Sequence, residues 1–289
     1  MTTSRWHLPA GSAARGPFRV QVTPEAAGWN HASLRVLDLP AGSEHAVETA
    51  GDEMLVLPLA GAGSVTCDGA TFKLAGRAGV LAGVSDFVYL PRDAHAVVAT
   101  EDGGRFALPG ARCESRLEAR YGPATSVGIE LRGAGACSRQ VNDVCMPATF
   151  AAERLLVCEV LTPEGNWSSY PPHKHDDARA GESVLEEIYY FEIATGPAGS
   201  PGVGFHRVYG PGIDVIAEVR DGDVVLVPHG WHGPSIAGPG YDMYYLNVMA
   251  GPGPQRAWEI STDPDHAWIR DTWASLPVDP RLPMTGGSQ

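Results

Sequence analysis

Four residues in the second half of this 289-residue chain, His173, His175, Glu187 and His232, could together hold a metal ion. His173 and His175 lie in the run Tyr170-Pro-Pro-His-Lys-His-Asp176. On a strand, residues i and i+2 face the same way, so both imidazoles can aim at one point while Lys174 turns aside. Glu187 heads the apolar run 188–191, and a carboxylate opening a buried strand needs a partner. His232 follows the apolar run 224–227 and the turn Pro228-His-Gly230. Three imidazoles and one carboxylate suit Zn, Mn, Fe, Ni or Co and leave positions open for substrate oxygens. His229 competes with His232 as the last ligand.

An internal repeat separates those two. The segments Asp86-Phe-Val-Tyr-Leu-Pro91-Arg-Asp-Ala-His95 and Asp223-Val-Val-Leu-Val-Pro228-His-Gly-Trp-His232 both read D-x4-P-x3-H. His232 takes the place of His95, whereas His229 matches Arg92. Glu53 follows His45 as Glu187 follows His175. A period of about 135 residues is too long for a solenoid unit and implies duplication of a whole domain. On this pairing Ser43, His45, Glu53 and His95 stand where His173, His175, Glu187 and His232 stand. One ligand is lost, so the first half reads as a degenerate scaffold and the expectation is one ion per chain. Gly122-Pro123 and Gly133-Ala-Gly135 loosen the chain between the copies, which predicts domains at 1–125 and 126–289.

The elements that must carry these residues are strands. Gly (35) and Pro (24) are spread along the chain and punctuate short Val-, Leu-, Ile- and Tyr-rich runs, at 54–59, 87–90, 154–160, 188–193, 224–227 and 244–249. Helical periodicity is weak, with 111–120 and 266–275 as the candidates. The class is therefore all-β, of sandwich or barrel type.

Hydrophobic residues make up 44% of the chain, a globular value. The formal net charge is -13 with no basic run, which argues against a nucleic-acid or anionic-membrane partner. An anionic substrate would need positive charge supplied locally. Five cysteines, none in a C-x-x-C pair, read as thiols of a reducing cytosol. No apolar window reaches membrane-spanning length, so the expected location is cytoplasmic.

The ligand pattern resembles the two cupin motifs, with a longer gap between His175 and Glu187 and one residue fewer before His232. The segments Asn166-Trp-Ser-Ser-Tyr-Pro-Pro-His-Lys-His-Asp176, Leu185-Glu-Glu-Ile-Tyr-Tyr190, Gly204-Phe-His-Arg-Val-Tyr209 and Tyr241-Asp-Met-Tyr-Tyr-Leu-Asn-Val-Met-Ala-Gly-Pro252 resemble the 5-deoxy-glucuronate isomerases of myo-inositol catabolism. Ser138-Arg-Gln-Val141 and Asp263-Pro-Asp-His-Ala-Trp268 add to the likeness, which is detailed from about 125 to 273. The resemblance implies a bicupin of two double-stranded β-helix barrels. It implies isomerisation of 5-deoxy-D-glucuronate to 2-deoxy-5-keto-D-gluconate, a sugar-acid substrate and a homo-oligomer. Zinc is the metal by the same likeness, because the related 5-keto-4-deoxyuronate isomerases carry it on a similar ligand set.

Three further residues are candidates for the chemistry. Arg207 could clamp a substrate carboxylate bidentately. Tyr189 shares strand parity with Glu187, so its ring should face the barrel interior. Tyr245 and Asn247 share a face of the following strand, and the sequence leaves open which face lines the pocket. Lys174 reads as solvated or paired with Asp176, and the tryptophans and His266 as packing or interface residues. Two rivals use the same ligands: an iron dioxygenase and a non-catalytic sugar-binding cupin.

Overall fold

The computed structural model describes residues 5–286 and is built almost entirely of antiparallel strands. One nine-stranded sheet takes its strands from Phe18–Val22 through Arg120–Gly122. A seven-stranded and a six-stranded sheet take theirs from Gly128–Arg132 onward, with one exception. The strand His7–Leu8 pairs with Val224–Val227 of the second half, against the expectation that 1–125 would be one unit. Asp223 explains the crossing: its carboxylate receives the backbone N–H of Ala10 (2.8 Å) and contacts His7 Nε2 at 2.9 Å. The candidate helix at 111–120 does not form. Residues 104–112 are a strand, and the chain beyond is held in an extended path by backbone and Arg92 contacts. Near 266–275 a single turn of helix, Ile269–Thr272, is present.

The strand Glu186–Ile193 shows why apolar runs dominate. Both of its faces are buried. Ile188 and Tyr190 join Leu34, Val36, Leu55 and Leu57 of the first half in one core, while Tyr189, Phe191 and Ile193 join a second core inside the C-terminal barrel. A sheet covered on both sides reads as a continuous hydrophobic run rather than an alternating one. The interface between halves also buries Arg77 against Glu159, which accepts from Asn142 Nδ2 (3.1 Å) and Tyr244 Oη (2.9 Å) as well.

Strand register corrects the alignment of the two copies. Glu187 lies opposite Val227, one residue before Pro228, whereas the residue opposite Leu90, one before Pro91, is Met54. Glu53 is therefore the counterpart of Glu186, not of Glu187. A one-residue slip exchanges the two faces of a strand, so Glu53 points away from its barrel interior. Likewise His173 pairs with His232, but the residue paired with His95 is Glu48, not Ser43. His45, Glu53 and His95 do not converge.

The matched glutamates perform matched structural work. Glu53 accepts the backbone N–H groups of Glu153, Arg154 and Leu155 at 2.6–2.9 Å. Glu186 accepts those of Asn30, His31 and Ala32 at 2.8 Å. Each half thus caps the start of a strand in the other. Glu53→Gln or Glu186→Gln should lower stability by about 2 kcal/mol, the typical loss for charge-assisted bonds to buried donors. Glu48→Gln, whose exposed carboxylate meets only exposed His95, should change it by less than about 0.5 kcal/mol. Urea denaturation of the three variants distinguishes these outcomes.

Candidate metal centre

His173 and His232 are cross-strand neighbours on Trp231–Ala237 and its partner His173–Lys174. Their rings lie 4.3 Å apart, and the ring of His175 lies 4.8 Å from that of His232. One nitrogen from each of His173, His175 and His232 falls within 4.8 Å of the others, and all three residues are buried. Glu187 joins them from the floor of the barrel. Its Oε2 is 3.0 Å from His175 Nε2 and 3.0 Å from His232 Nε2. His229 is half-buried and outside this group.

The backbone settles which nitrogens face inward. His175 Nδ1 is 3.1 Å from the carbonyl of Leu185, and His232 Nδ1 is 3.2 Å from that of Gly230. A ring nitrogen beside a carbonyl must donate, so each neutral ring turns an unprotonated Nε2 toward Glu187. Gly230 adopts φ +90°, a left-handed conformation, and a Cβ there would lie 2.8 Å from the carbonyl oxygen of Tyr209. That turn delivers the carbonyl to His232, and the Gly230 N–H is fixed by Asp176 Oδ2 at 2.7 Å.

Lone pairs thus meet lone pairs in a dry site. His173 Nε2, His232 Nε2 and Glu187 Oε1 are buried without a hydrogen-bond partner. Such a set is unfavourable unless a cation sits among it, and the donor chemistry fits a divalent metal. Burial, with His232 nearby, drives the His173 imidazole well below its ordinary range. Without an ion the cluster instead favours a shared proton: burial lowers His175 but Glu187 outweighs it and raises that imidazole, and burial raises Glu187 but His232 and His175 hold its carboxyl well below the usual range.

Tyr189 and Tyr245 come together above the cluster. Their hydroxyls lie 3.1 and 3.2 Å from Ser169 Oγ, and burial raises both phenols above their ordinary value. Both face a cavity of about 180 Å³ that His173 and Asn247 also line, which resolves the facing of the 243–250 strand. Arg207 is not brought to this cavity. It points outward from the Gly204–Gly210 strand, pairs with Asp214 and stacks on Tyr209 at 5.2 Å. The parity that turns His206 inward turns Arg207 out. The basic residues at the cavity are instead Arg132, Arg139 and Arg270. Arg139 lies in a segment that carried the family likeness, but its sequence neighbours show no sign of a cavity. Arg132 ends the edge strand Gly128–Arg132 and Arg270 lies on the helical turn Ile269–Thr272, and no local pattern showed that either reaches the cavity.

The KduI/IolB family profile matches residues 6–269. The chain belongs to the KduI/IolB family. It is 42% identical over 277 residues to a 5-deoxy-glucuronate isomerase of Geobacillus kaustophilus, spanning 93% of this chain and 96% of that protein. Among solved structures it resembles an IolB-like protein of Salmonella typhimurium LT2, with TM-score 0.84, 33% identity, and coverage of 91% and 98% of the two chains. An oxalate decarboxylase of Lactobacillus farciminis shares the fold, with TM-score 0.63 at 13% identity over 96% of this chain and 98% of that one. The all-β bicupin architecture expected from the sequence is thus present. Among the described residues, no helix is long and apolar enough to cross a membrane.

In this KduI/IolB chain the loop between His175 and Glu187 is tied by Glu182. Its carboxylate accepts from Lys174 Nζ (2.7 Å), the N–H groups of Asp176 and Asp177 (3.0 Å each) and Arg179 (2.6 Å). Burial works against its charge, yet these donors and Ser261 hold the carboxyl well below the ordinary value. A depressed carboxyl stabilises the fold above its unfolded pKa and loses that contribution as pH falls toward the folded one. Glu182→Gln should therefore lower stability by about 2 kcal/mol at pH 7. The gap to wild type should shrink as pH drops below about 4.5. Urea midpoints at pH 7 and below 4.5 test both the size and the sign.

Proposed function

We propose that this protein is a metal-dependent aldose–ketose isomerase that converts 5-deoxy-glucuronate to 2-deoxy-5-keto-gluconate. The observation that carries this reading is the buried cluster of three histidines with Glu187 beside two of them, reaching through His173 a cavity lined by arginines, in a chain 42% identical to a protein named for that activity. His173, His175, Glu187 and His232 would hold one divalent ion, with zinc the first candidate. A bound ion of this kind supplies Lewis acidity toward neighbouring carbonyl and hydroxyl oxygens.

The protein's own groups supply the rest. Tyr189 and Tyr245 stay protonated in their buried setting, so their hydroxyls can donate to substrate oxygens and carry a proton between them through Ser169 Oγ. Asn247, whose Nδ2 is buried without a partner, offers a further donor in the same cavity. The second half, 126–289, carries the chemistry, and the first, 1–125, acts as scaffold.

His175→Ala and His232→Ala should lose at least about tenfold in bound metal, while His229→Ala and His95→Ala keep one ion per chain. Elemental analysis of the purified variants reads this directly, and full occupancy in His232→Ala would remove the assignment. Tyr189→Phe or Tyr245→Phe should lower kcat by about 10- to 100-fold with metal content unchanged. Isomerisation is redox-neutral, so turnover of 5-deoxy-glucuronate, followed by NMR, should run as fast under nitrogen as in air. Oxygen uptake with no keto product would instead mark a dioxygenase.

A further inference from the structure

Among the enclosed arginines of this protein, Arg256 is held by the carbonyls of Cys145, Phe150 and Ala152, whereas others meet a carboxylate. Arg77 is paired with Glu159 and Arg105 with Glu192. At the cavity beside His173, Arg132 likewise has Glu130. Arg139 does not. It is 5% exposed, and its hydrogen bonds run only to the carbonyls of Cys137 (3.0 Å) and Tyr170 (3.3 Å). Arg270, on the same cavity, has no acidic partner among the described residues. Its Nε is buried and unbonded, and its guanidinium lies 5.4 Å from the Trp273 ring. The indole N–H of Trp258, also lining the cavity, is buried and unpaired.

A buried charge without a carboxylate partner is costly, and a second, half-buried one on the same cavity adds to that cost. The field shows it: burial, with Arg132 and Arg270 close by, pulls the Arg139 guanidinium down to about 10. In a chain of net charge -13, this local excess of positive charge is met within the fold only by carbonyls and an indole ring, and by no carboxylate. It is the complement of an anion that arrives from outside.

We propose that Arg139 and Arg270 form the carboxylate subsite of this cavity, so that its ligand is an open-chain polyhydroxy acid anchored by its acid group. This deepens the isomerase reading and rests on it for the identity of the substrate. The planar guanidinium fork matches a carboxylate bidentately, which fixes the direction in which the chain lies. Arg207, on the outside of the barrel, has no part in it.

The probe is D-gluconate, with D-glucitol as its neutral counterpart, titrated calorimetrically into the metal-containing protein. Wild type should bind gluconate at least tenfold more tightly than glucitol. Arg139→Ala should abolish that preference, Arg139→Lys should restore part of it, and Arg270→Ala should reduce it by fivefold or more. Arg207→Ala should leave it unchanged. In turnover assays Arg139→Ala should raise KM more than it lowers kcat, the mark of an interaction made in both ground and transition states. Should Arg139→Ala fail to fold, Arg270→Ala decides, because that side chain has no hydrogen bond to lose. A wild-type preference for gluconate that persists in Arg270→Ala and in folded Arg139→Ala overturns the subsite, as does a wild type that does not discriminate. Discrimination by these arginines without turnover of 5-deoxy-glucuronate would leave the subsite standing and remove only the isomerase assignment.

Discussion

The structure of the C-terminal barrel depends on an encounter that is unfavourable by itself. Two imidazole Nε2 atoms, each 3.0 Å from one carboxylate oxygen, face it in a buried site. The carbonyls of Leu185 and Gly230 hold the rings in the tautomers that make this so. Much of the surrounding architecture exists to enforce that arrangement. The left-handed Gly230 turn aims one carbonyl, the Asp176 carboxylate fixes that turn, and the Lys174–Glu182 knot closes the loop that carries the other. Orienting contacts of this kind set ligand basicity as much as the ligands themselves do.

Strand parity lets one segment serve both chemistry and assembly. Along 186–193 the odd positions face the barrel interior and the even positions face the first half. Glu187 can therefore be a site residue while Glu186, its neighbour, caps a strand of the opposite domain. In the first half the same parity places Glu53 in the capping role and Met54 in the interior one. The two halves are related by exchange: each lends a carboxylate to the other's strand start. The absence of a ligand cluster among the described residues of the first half does not touch this exchange, because it uses the other face of the strand.

That relation marks the boundary of what the sequence could disclose. The D-x4-P-x3-H repeat, the same-face spacing of His173 and His175 and the strand-rich composition are local patterns, and each has a direct counterpart in the structure. The pairing of Glu53 with Glu187 was out by one residue. An insertion between the histidines and the glutamate makes the count from either side ambiguous, and only the ladder to 87–90 and 224–227 resolves it. Arg207 drew attention as a lone arginine in a motif-bearing segment, although the inward placing of His206 turns it out. Arg139 and Arg270 lie 131 positions apart, by the difference of their numbers, and only folding brings them to one cavity.

Charge explains why such a cavity belongs in this chain. A net charge of -13 repels an anionic sugar acid from most of the surface. The His–Glu cluster alone would not reverse that field, since Glu187 carries a negative charge that an ion must first offset. A divalent cation held by the cluster would join Arg139 and Arg270 in making the cavity positive at short range, where low dielectric amplifies each charge and outer acidic groups are screened beyond about 8 Å at physiological salt. Recognition by a few buried charges against an opposing surface favours ligands small enough to enter and acidic enough to satisfy them. A neutral sugar of the same size would leave Arg139 and Arg270 without a carboxylate partner. Selectivity for a small acid thus follows from what the folded protein leaves unsatisfied, and not from a surface shaped to attract it.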